Sequence, residues 1–344
     1  MSGARQPEGA QHRSPQGEGS PGSAAHRQAA SGPMASLVLI LGPLLLAALF
    51  LMAPMTSGQE PVGATFWVAT IALAALAVAG IRRMAGFEGR KLYASLTAAL
   101  FGVWVVYFWQ LLTVALDVPR VLLPAPWLIV QSLVDNLPRL GNDFTQTVIK
   151  AVIIGWVLGS GLGFLVAIAI DRLPFLQRGL LPIASLTSTI PLVGVAPIAV
   201  MWFGFDWPSK AAVVVLMTFF PMLVSTLAGL QASNRLEREL MHSYAASYGR
   251  TLWSLRLPAA LPFMIGALKV NATLALIGAI VAEFFGSPTS GLGFRISTEA
   301  TKMNMTLVWA AVVVAAVTGS VAYALLVALE RRVAFWHPSV RGKK

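Results

Sequence analysis

Long apolar runs separated by short polar segments dominate the chain from residue 34 onwards. A helix needs about 20 residues to cross a bilayer, and on that measure the pattern predicts eight membrane-spanning helices. They are approximately Met34–Met52, Ala64–Ile81, Tyr93–Leu116, Val148–Ile170, Gly179–Phe203, Ala211–Leu230, Pro262–Phe284 and Leu307–Leu329. The sequence therefore predicts an all-α polytopic membrane protein.

The fifth of these predicted helices is unusually polar. Its Ser185–Pro197 stretch carries four hydroxyl side chains and two prolines, namely Ser185, Thr187, Ser188, Thr189, Pro191 and Pro197. Prolines free backbone carbonyls, which are tolerated at membrane depth only against protein or a watery cavity. Ser188, Thr189, Pro191 and Pro197 are therefore candidates for a translocation surface, with a merely kinked helix as the alternative.

The basic residues lie in the short tracts between the apolar runs. With the N-terminus inside, the cytoplasmic segments hold 18 Lys and Arg residues and the outer segments hold five. The positive-inside rule then predicts an even number of spans with both termini in the cytoplasm. Residues 1–33 are rich in Gly, Pro, Ser and Gln, a composition that predicts a disordered cytoplasmic tail.

Composition agrees with a membrane location. Only 11% of the residues are charged, 56% are hydrophobic and the mean hydropathy is +0.72, whereas soluble domains carry about 25% charged residues. The net charge of +11 follows from orientation by the positive-inside rule, so no nucleic-acid partner is expected. Because the chain has no cysteine, disulfides and thiolate metal sites are excluded.

Signatures of catalysis are absent from the sequence. The four histidines (His12, His26, His242 and His337) do not pair at metal-ligand spacing, and no phosphate-binding loop or nucleophile elbow occurs. We therefore expect no enzyme activity, metal site or cofactor in this chain. A membrane enzyme would need clustered His, Asp or Glu, and an ion-driven secondary transporter would carry more buried carboxylates.

Amphipathic spacing appears in one segment outside the predicted spans. Leu123–Pro126 precedes apolar residues at helical spacing, which are Trp127, Val130, Leu133, Val134 and Leu137. The stretch is too short and polar to span, so it predicts a helix lying on the outer membrane surface.

Ionisable and amide side chains inside predicted spans are costly and usually functional. Lys269 and Glu283 share one face of the seventh predicted helix, but 14 residues separate them by about 21 Å along the axis, so they cannot pair. Glu283 is a candidate for an outer gate, or simply an interfacial residue. Asn271 either lines a path or satisfies hydrogen-bonding groups of a neighbouring helix.

Four glycines of the fourth predicted helix, Gly155, Gly159, Gly161 and Gly163, predict close helix packing.

The polar loop from Gln231 to Arg256 lies between two predicted spans, and its arginines place it in the cytoplasm. From Glu239 to Pro258 it reads ELMHSYAASYGRTLWSLRLP, which resembles the EAA loop of ABC importer permeases. Glu239 matches the family's Glu, Ala246 and Ser247 match its Ala-Ser, and Leu257 with Pro258 matches its Leu-Pro. Ala245 stands where the family usually has Gly, and Gly249 fills that role only with a gap.

Further short pieces resemble the same family, in the same order. Two of them are Leu123–Pro126 and the I-P…P…W-F-G stretch from Ile190 to Gly204. Three more are similar to the closing signatures of the nitrate/sulfonate/taurine-type subfamily, namely Leu257–Pro262, Val281–Phe284 and Gly291–Gly293. The resemblance covers about residues 120–340. It implies a type I ABC importer permease fold with a six-span core in residues 93–344, preceded by about two extra spans in residues 34–92.

The resemblance also implies a function. The chain would be the membrane-spanning subunit of an ATP-driven importer in a bacterial inner membrane, with ATP and Mg bound by separate ATPase subunits. A solute-binding protein and a second permease copy would complete the importer. The coupling loop would be residues 231–258, with Glu239, Ser243, Ala245, Ala246, Ser247, Gly249, Leu257 and Pro258 as coupling residues. Pathway or gate residues would be Ser188, Thr189, Pro191, Pro197, Asn271, Glu283, Gly291 and Gly293.

The substrate is barely encoded in the sequence. Relatives of this kind handle nitrate, sulfonates, taurine, and heterocycles such as thiamine precursors or riboflavin. The wording of the loop is closest to that of the heterocycle-type members.

Overall fold

Helices are the only regular elements in the part of the chain that the computed structural model describes, which is residues 64–85, 91–173, 192–286 and 289–335. The predicted all-α class is confirmed. The chain divides into two compact units, Met1–Leu111 and Leu112–Lys344. The predicted boundary between residues 92 and 93 stays a prediction, as does the cytoplasmic tail in residues 1–33, which lies outside the described residues.

Two helices are described in the first unit. They are α1 (Ala64–Ala85) and α2 (Lys91–Ala115), the second of which ends just past the boundary at Leu111. Leu73 and Ala77 of α1 pack against Trp104, Tyr107 and Leu111 of α2, and all five side chains are buried. The apolar part of α2 is long enough to cross a membrane, whereas that of α1 is shorter. The first predicted span, residues 34–52, lies outside the described residues.

The second unit holds the remaining described helices. In chain order they are α3 (Pro126–Asp135), α4 (Leu137–Phe144), π1 (Thr145–Ile153), α5 (Ile154–Arg172), α6 (Leu192–Phe203), α7 (Trp207–Gln231), α8 (Arg235–Ser243), α9 (Tyr248–Thr251), π2 (Leu252–Arg256), α10 (Leu257–Phe285), α11 (Leu292–Thr301) and α12 (Met305–Val333). The α4, π1 and α5 segments run on as one helical rod of 36 residues, and α9, π2 and α10 as one of 38.

Five described helical rods are long and apolar enough to cross a membrane. One is the Ser95–Ala115 part of α2, and the others are Leu137–Arg172, Trp207–Gln231, Tyr248–Phe285 and Met305–Val333. They correspond to the third, fourth, sixth, seventh and eighth predicted spans. Of the fifth prediction, Gly179–Phe203, only α6 falls in the described residues, and this helix of 12 residues is too short to span by itself.

Helix α7 is central in the second unit and packs closely on α5. The residues at the contact are Gly155, Gly159 and Gly163, which recur every four positions. A Cβ on Gly159 would lie 2.1 Å from the Thr218 hydroxyl oxygen and 2.6 Å from the Val215 carbonyl oxygen. The packing role predicted for these glycines is confirmed. The same prediction is wrong for Gly161, which faces open space.

Helix α3 begins with the predicted proline in its first turn. Ile129 is buried, whereas Trp127, Val130 and Val134 are more than half exposed. A helix that leaves apolar side chains exposed beside polar ones suits a membrane–water interface. Its position on the outer membrane surface stays a prediction.

Candidate functional site

The polar loop carries a short helix, α8, whose start is fixed by a capping box. The Asn234 side chain accepts a hydrogen bond from the Leu236 N–H at 3.1 Å. The Glu237 carboxylate accepts one from the Asn234 N–H at 3.2 Å. These bonds satisfy backbone donors that the first helical turn leaves unpaired. An Asn followed three residues later by Glu is a readable helix start in the sequence.

Helix α8 ends in a Schellman motif. The Ala246 N–H donates to the Met241 carbonyl at 3.0 Å and the Ala245 N–H donates to the His242 carbonyl at 2.9 Å. Ala245 has φ +50°, the left-handed conformation that this motif requires and that Gly adopts without steric cost. Ala245 is the position where the resembling family usually has Gly. Gly249 lies in α9 without such a φ, so the geometry favours the ungapped alignment.

An exposed apolar stripe runs along α8 and on to its C-cap, Tyr244. Leu236 is 71% exposed, Leu240 57% and Tyr244 78%. Residues four apart lie on one face of a helix, so the three side chains form a continuous row, here called the loop stripe. Sequence reasoning missed the loop stripe because it followed the motif residues, although the spacing of four was readable.

Several motif residues of the loop form contacts within the loop itself and so stabilise its conformation. Glu239 pairs with Arg235 at 2.7 Å on the solvent side of α8, and the Ser243 hydroxyl donates to the Glu239 carbonyl at 3.0 Å. The Ser247 side chain caps α9 by accepting from the Arg250 N–H at 3.4 Å. Glu239, Ser243 and Ser247 are exposed, so their side chains remain accessible to a partner.

A buried ion pair between Asp171 and Arg256 lies where the loop returns to the membrane. This pair and the two residues hydrogen-bonded to it, Leu230 and Tyr248, are here called the loop base. Both terminal nitrogens of Arg256 donate to the Asp171 carboxylate at 2.7 Å. Arg256 Nε donates to the Leu230 carbonyl at 3.1 Å, and the Tyr248 hydroxyl donates to Asp171 at 2.8 Å. The loop base therefore joins the ends of α5 and α7 to the α9–π2 segment.

Leu257 and Pro258 follow the loop base directly. Leu257 is buried in a cluster with Leu230, Leu252 and Ala260. Pro258 lies in the first turn of α10, directly after π2, and has no N–H to donate to the preceding turn of the continuous rod. The Leu-Pro signature thus fixes where the loop ends and α10 begins.

A second polar cluster, here called the α11 cluster, surrounds the N-terminus of α11. Glu283 of α10 is 2% exposed and accepts from the Thr147 hydroxyl and from the Gly293 N–H, both at 2.7 Å. Asp143 is fully buried and accepts from the Gly291 N–H at 2.9 Å. The positive end of a helix stabilises both carboxylates.

Arg295 is the cation of the α11 cluster. Its Nε donates to Asp143 at 2.7 Å, and this hydrogen bond raises the pKa of the guanidinium above its usual value. For Glu299, one turn further along α11, burial opposes ionisation. Hydrogen bonds from Lys302 and Asn304 outweigh it, so the pKa of the Glu299 carboxyl is lowered.

The two glycines of the G-L-G signature are explained by the same cluster. Gly291 has φ +138°, and a Cβ on it would lie 2.6 Å from the Glu283 carboxylate carbon. A Cβ on Gly293 would lie 2.2 Å from the Ile280 carbonyl oxygen. Only glycine lets these backbone N–H groups approach the carboxylates. The structure thus brings together Glu283, Gly291 and Gly293, and their role as a gate stays a prediction.

Asn271 lies elsewhere on α10. It is fully buried, 12 residues before Glu283, which corresponds to about 18 Å along the helix. Its amide donates to the Ser160 hydroxyl at 3.0 Å and to the Thr218 carbonyl at 2.7 Å. Asn271 thus ties α10 to α5 and α7, and this geometry favours helix packing over a pathway role.

The remaining predicted pathway residues are only partly described. Pro197 lies inside α6 and is exposed. Ser188, Thr189 and Pro191 lie outside the described residues. No geometry therefore connects them to the α11 cluster.

Two lysines have partners that the sequence did not reveal. Lys210, at the start of α7, is 2% exposed, and its ammonium donates to the carbonyls of Phe205, Asp206 and Gly286. Lys269 pairs with Glu330 of α12 at 2.9 Å. Both lysines thus compensate their burial with hydrogen-bonding partners.

A polar cavity of ≈ 430 Å³ opens beside the α11 cluster. Its lining includes Arg139, Gln146 and Lys150 as well as Asp143 and Arg295. Among the described residues, no group of three or more His, Asp or Glu side chains is placed to hold a metal ion.

Comparison with known proteins identifies the family. Residues 159–335 match the model of the binding-protein-dependent transport system inner membrane component. The formylaminopyrimidine transport permease protein ThiX of Halalkalibacterium halodurans is 30% identical over 72% of this chain and 98% of the relative. The putative aliphatic sulfonates transport permease protein SsuC of Bacillus subtilis is 28% identical over 74% and 92%.

A third relative has a heterocyclic substrate in its name. The riboflavin transport system permease protein RibX of Chloroflexus aurantiacus is 27% identical over 75% of this chain and 95% of its own length. The family match runs from within α5 through α12 and includes the polar loop, Glu283 and α11. The chain belongs to the family of binding-protein-dependent transport system inner membrane components, the multi-pass permeases of ABC transporters.

Proposed function

We propose that this chain is the membrane-spanning subunit of an ATP-driven importer and that its polar loop, residues 231–258, docks on an ABC ATPase subunit. The observation that carries the proposal is the loop stripe. Leu236, Leu240 and Tyr244 are each more than half exposed on a helix that is capped at both ends. Exposed apolar side chains aligned on a rigid helix suit insertion into a partner's groove.

The loop is rigid enough to transmit a movement of its partner to the membrane spans. Helix α8 is closed by a capping box and a Schellman motif, and the loop base joins the end of the loop to α5 and α7. A force applied to α8 is therefore passed to the spans as a rigid-body movement. ATP binding and hydrolysis belong to the separate ATPase subunit, so this chain supplies the pathway and the coupling without a cofactor of its own.

Further partners follow from the same proposal. A solute-binding protein delivers the substrate on the outer face, and a second permease copy completes the pathway between the two subunits. Both termini lie in the cytoplasm of a bacterial cell, which is the orientation favoured by 18 Lys and Arg residues inside against five outside.

The substrate that we propose is a small polar or aromatic solute. The names of the relatives favour a heterocycle of the formylaminopyrimidine or riboflavin type, or a sulfonate. In this proposal the binding protein makes the selection, so the permease pathway itself carries little of it.

The proposal is tested by purifying the chain from its native membranes and identifying bound ABC ATPases by mass spectrometry. Leu240→Asp removes an apolar contact of about 1.5–3 kcal/mol, so we expect ATPase recovery to fall at least tenfold. The combined variant Glu239→Ala plus Ala246→Asp is expected to abolish both ATPase recovery and uptake.

Leu122→Asp is the matched control, since it makes the same change at an exposed leucine between α2 and α3, outside the polar loop. It should leave ATPase recovery unchanged. Undiminished recovery with Leu240→Asp would contradict docking through the loop stripe. Uptake that survives an inactive ATPase but collapses with an uncoupler would instead indicate an ion-driven secondary transporter.

A further inference from the structure

The loop base connects parts of the chain that are far apart in sequence. Asp171 and Arg256 are 85 residues apart, yet they form a two-pronged ion pair with both distances at 2.7 Å. Their side chains are only 8% and 13% exposed. An Arg–carboxylate pair with two parallel hydrogen bonds is fixed in orientation as well as in distance.

The hydrogen bonds of the loop base join the α9–π2 segment to both α5 and α7. Arg256 Nε donates to the Leu230 carbonyl near the C-terminus of α7, and the Tyr248 hydroxyl donates to Asp171 at the end of α5. Arg172 lies over the Tyr248 ring at 5.9 Å. Helix α5 is separated from the loop by α6 and α7 along the chain, so the loop base is a contact through which a displacement of the loop reaches α5.

We infer that Asp171, Tyr248 and Arg256 are positioning residues that make α5 follow the polar loop when a partner moves it. The inference rests on the proposed docking function. It adds that the loop drives a span to which it is not directly connected along the chain. Without the loop base, the loop would be joined directly only to α7 and α10, its covalent neighbours, and α5 would follow it only through its packing on α7.

The burial of the ion pair favours a rigid connection over a loose one. A buried ion pair contributes little net stability, but removing one partner leaves a buried charge without compensation. The paired state is therefore the only low-energy arrangement of these side chains. A hydrogen-bonded fork also resists the rotation that an ammonium would permit.

Distances between spin labels test the inference in the full importer. The chain has no cysteine, so Ser243→Cys on α8 and Leu173→Cys at the end of α5 give two specific labels at exposed positions. The distance between them is measured in the complex with its ATPase, without nucleotide and with ATP under non-hydrolysing conditions. We expect the same distance in both states, because α8 and α5 move together.

Arg256→Gln should uncouple the two labels, so that the distance shifts or splits into two populations when ATP is added. Tyr248→Phe removes a single hydroxyl, is expected to fold normally, and should give a smaller shift of the same sign. Arg256→Lys keeps the charge but not the fork and should restore the fixed distance only in part. Arg332→Gln, at an exposed arginine near the end of α12, is the control and should behave as the unchanged chain.

The outcomes separate the inference from the proposed function. If the ATPase binds and the distance stays fixed in Arg256→Gln and Tyr248→Phe, the loop base is merely structural and the inference is wrong. If the unchanged chain already shows an ATP-dependent shift, α5 does not follow the loop and the inference is again wrong. If no ATPase binds the unchanged chain, the proposed function fails and the inference falls with it.

Discussion

Replacing Gly159 by Ala tests how closely α5 and α7 are packed. The added Cβ would lie 2.1 Å from the Thr218 hydroxyl oxygen, 2.6 Å from the Val215 carbonyl oxygen and 2.8 Å from the Val215 Cα, whereas ordinary contact begins at 3.4 Å. The Thr218 side chain can rotate away, but the Val215 backbone cannot. The two helices must separate locally by at least 3.4 − 2.6 = 0.8 Å.

The loss of stability expected for Gly159→Ala follows from overpacking of the contact between α5 and α7. Forcing a methyl group into a packed contact costs about 1–3 kcal/mol, while a helical Gly→Ala change gains about 0.5–1 kcal/mol from backbone entropy. Gly161→Ala, two residues away and facing open space, has only the second effect. We therefore expect Gly159→Ala to be less stable than Gly161→Ala by the whole overpacking cost, about 1–3 kcal/mol.

Equilibrium unfolding of the purified protein in mixed micelles with increasing SDS measures this difference. The separation should also disturb Asn271, which donates to the Ser160 hydroxyl and to the Thr218 carbonyl across the same contact. Equal stabilities for Gly159→Ala and Gly161→Ala would refute the close approach of α5 and α7.

Three further outcomes are expected. Ala245→Gly should stabilise the turn after α8 by about 1 kcal/mol because it removes the cost of a left-handed alanine, and hydrogen exchange of the α8 amides should slow about fivefold. Gly293→Ala should lower the thermal midpoint far more than Gly141→Ala, because its Cβ would lie 2.2 Å from a backbone oxygen while Gly141 has nothing within 4 Å; equal midpoints would contradict the fit at α11. Glu283→Ala removes the acceptor of two buried hydrogen bonds, at a cost of about 1–3 kcal/mol for each donor left unpaired, and should destabilise the protein more than Glu283→Gln in the same thermal assay; the reverse order would mean that Glu283 does not hold α11.

Much of the membrane architecture could be predicted because apolar runs of bilayer length are a one-dimensional signal. The loop helix was similarly readable, since Asn234 and Glu237 form a local cap. Helical periodicity would also have separated Gly161 from the packed glycines. Gly155, Gly159 and Gly163 advance by about 40° per step, whereas Gly161 lies about 160° from Gly159.

The ion pairs could not be predicted because the partners come from distant parts of the chain. Asp171 and Arg256 each look like ordinary charged residues at the end of an apolar run, and only the fold brings them within 2.7 Å. The same holds for Asp143 and Arg295, and for Lys269 with Glu330. A single sequence gives the position of each charge along a helix but not which helix lies opposite.

The most direct test of the account is a photo-cross-link from the polar loop. Ser243→Cys in this cysteine-free chain, labelled with a benzophenone maleimide and irradiated in inverted membrane vesicles, is predicted to form an adduct whose partner contains the phosphate-binding loop of an ABC ATPase. If no such adduct forms, and the same cysteine reacts with a membrane-impermeant reagent only from outside intact cells, the loop does not dock on an ATPase and the account is contradicted.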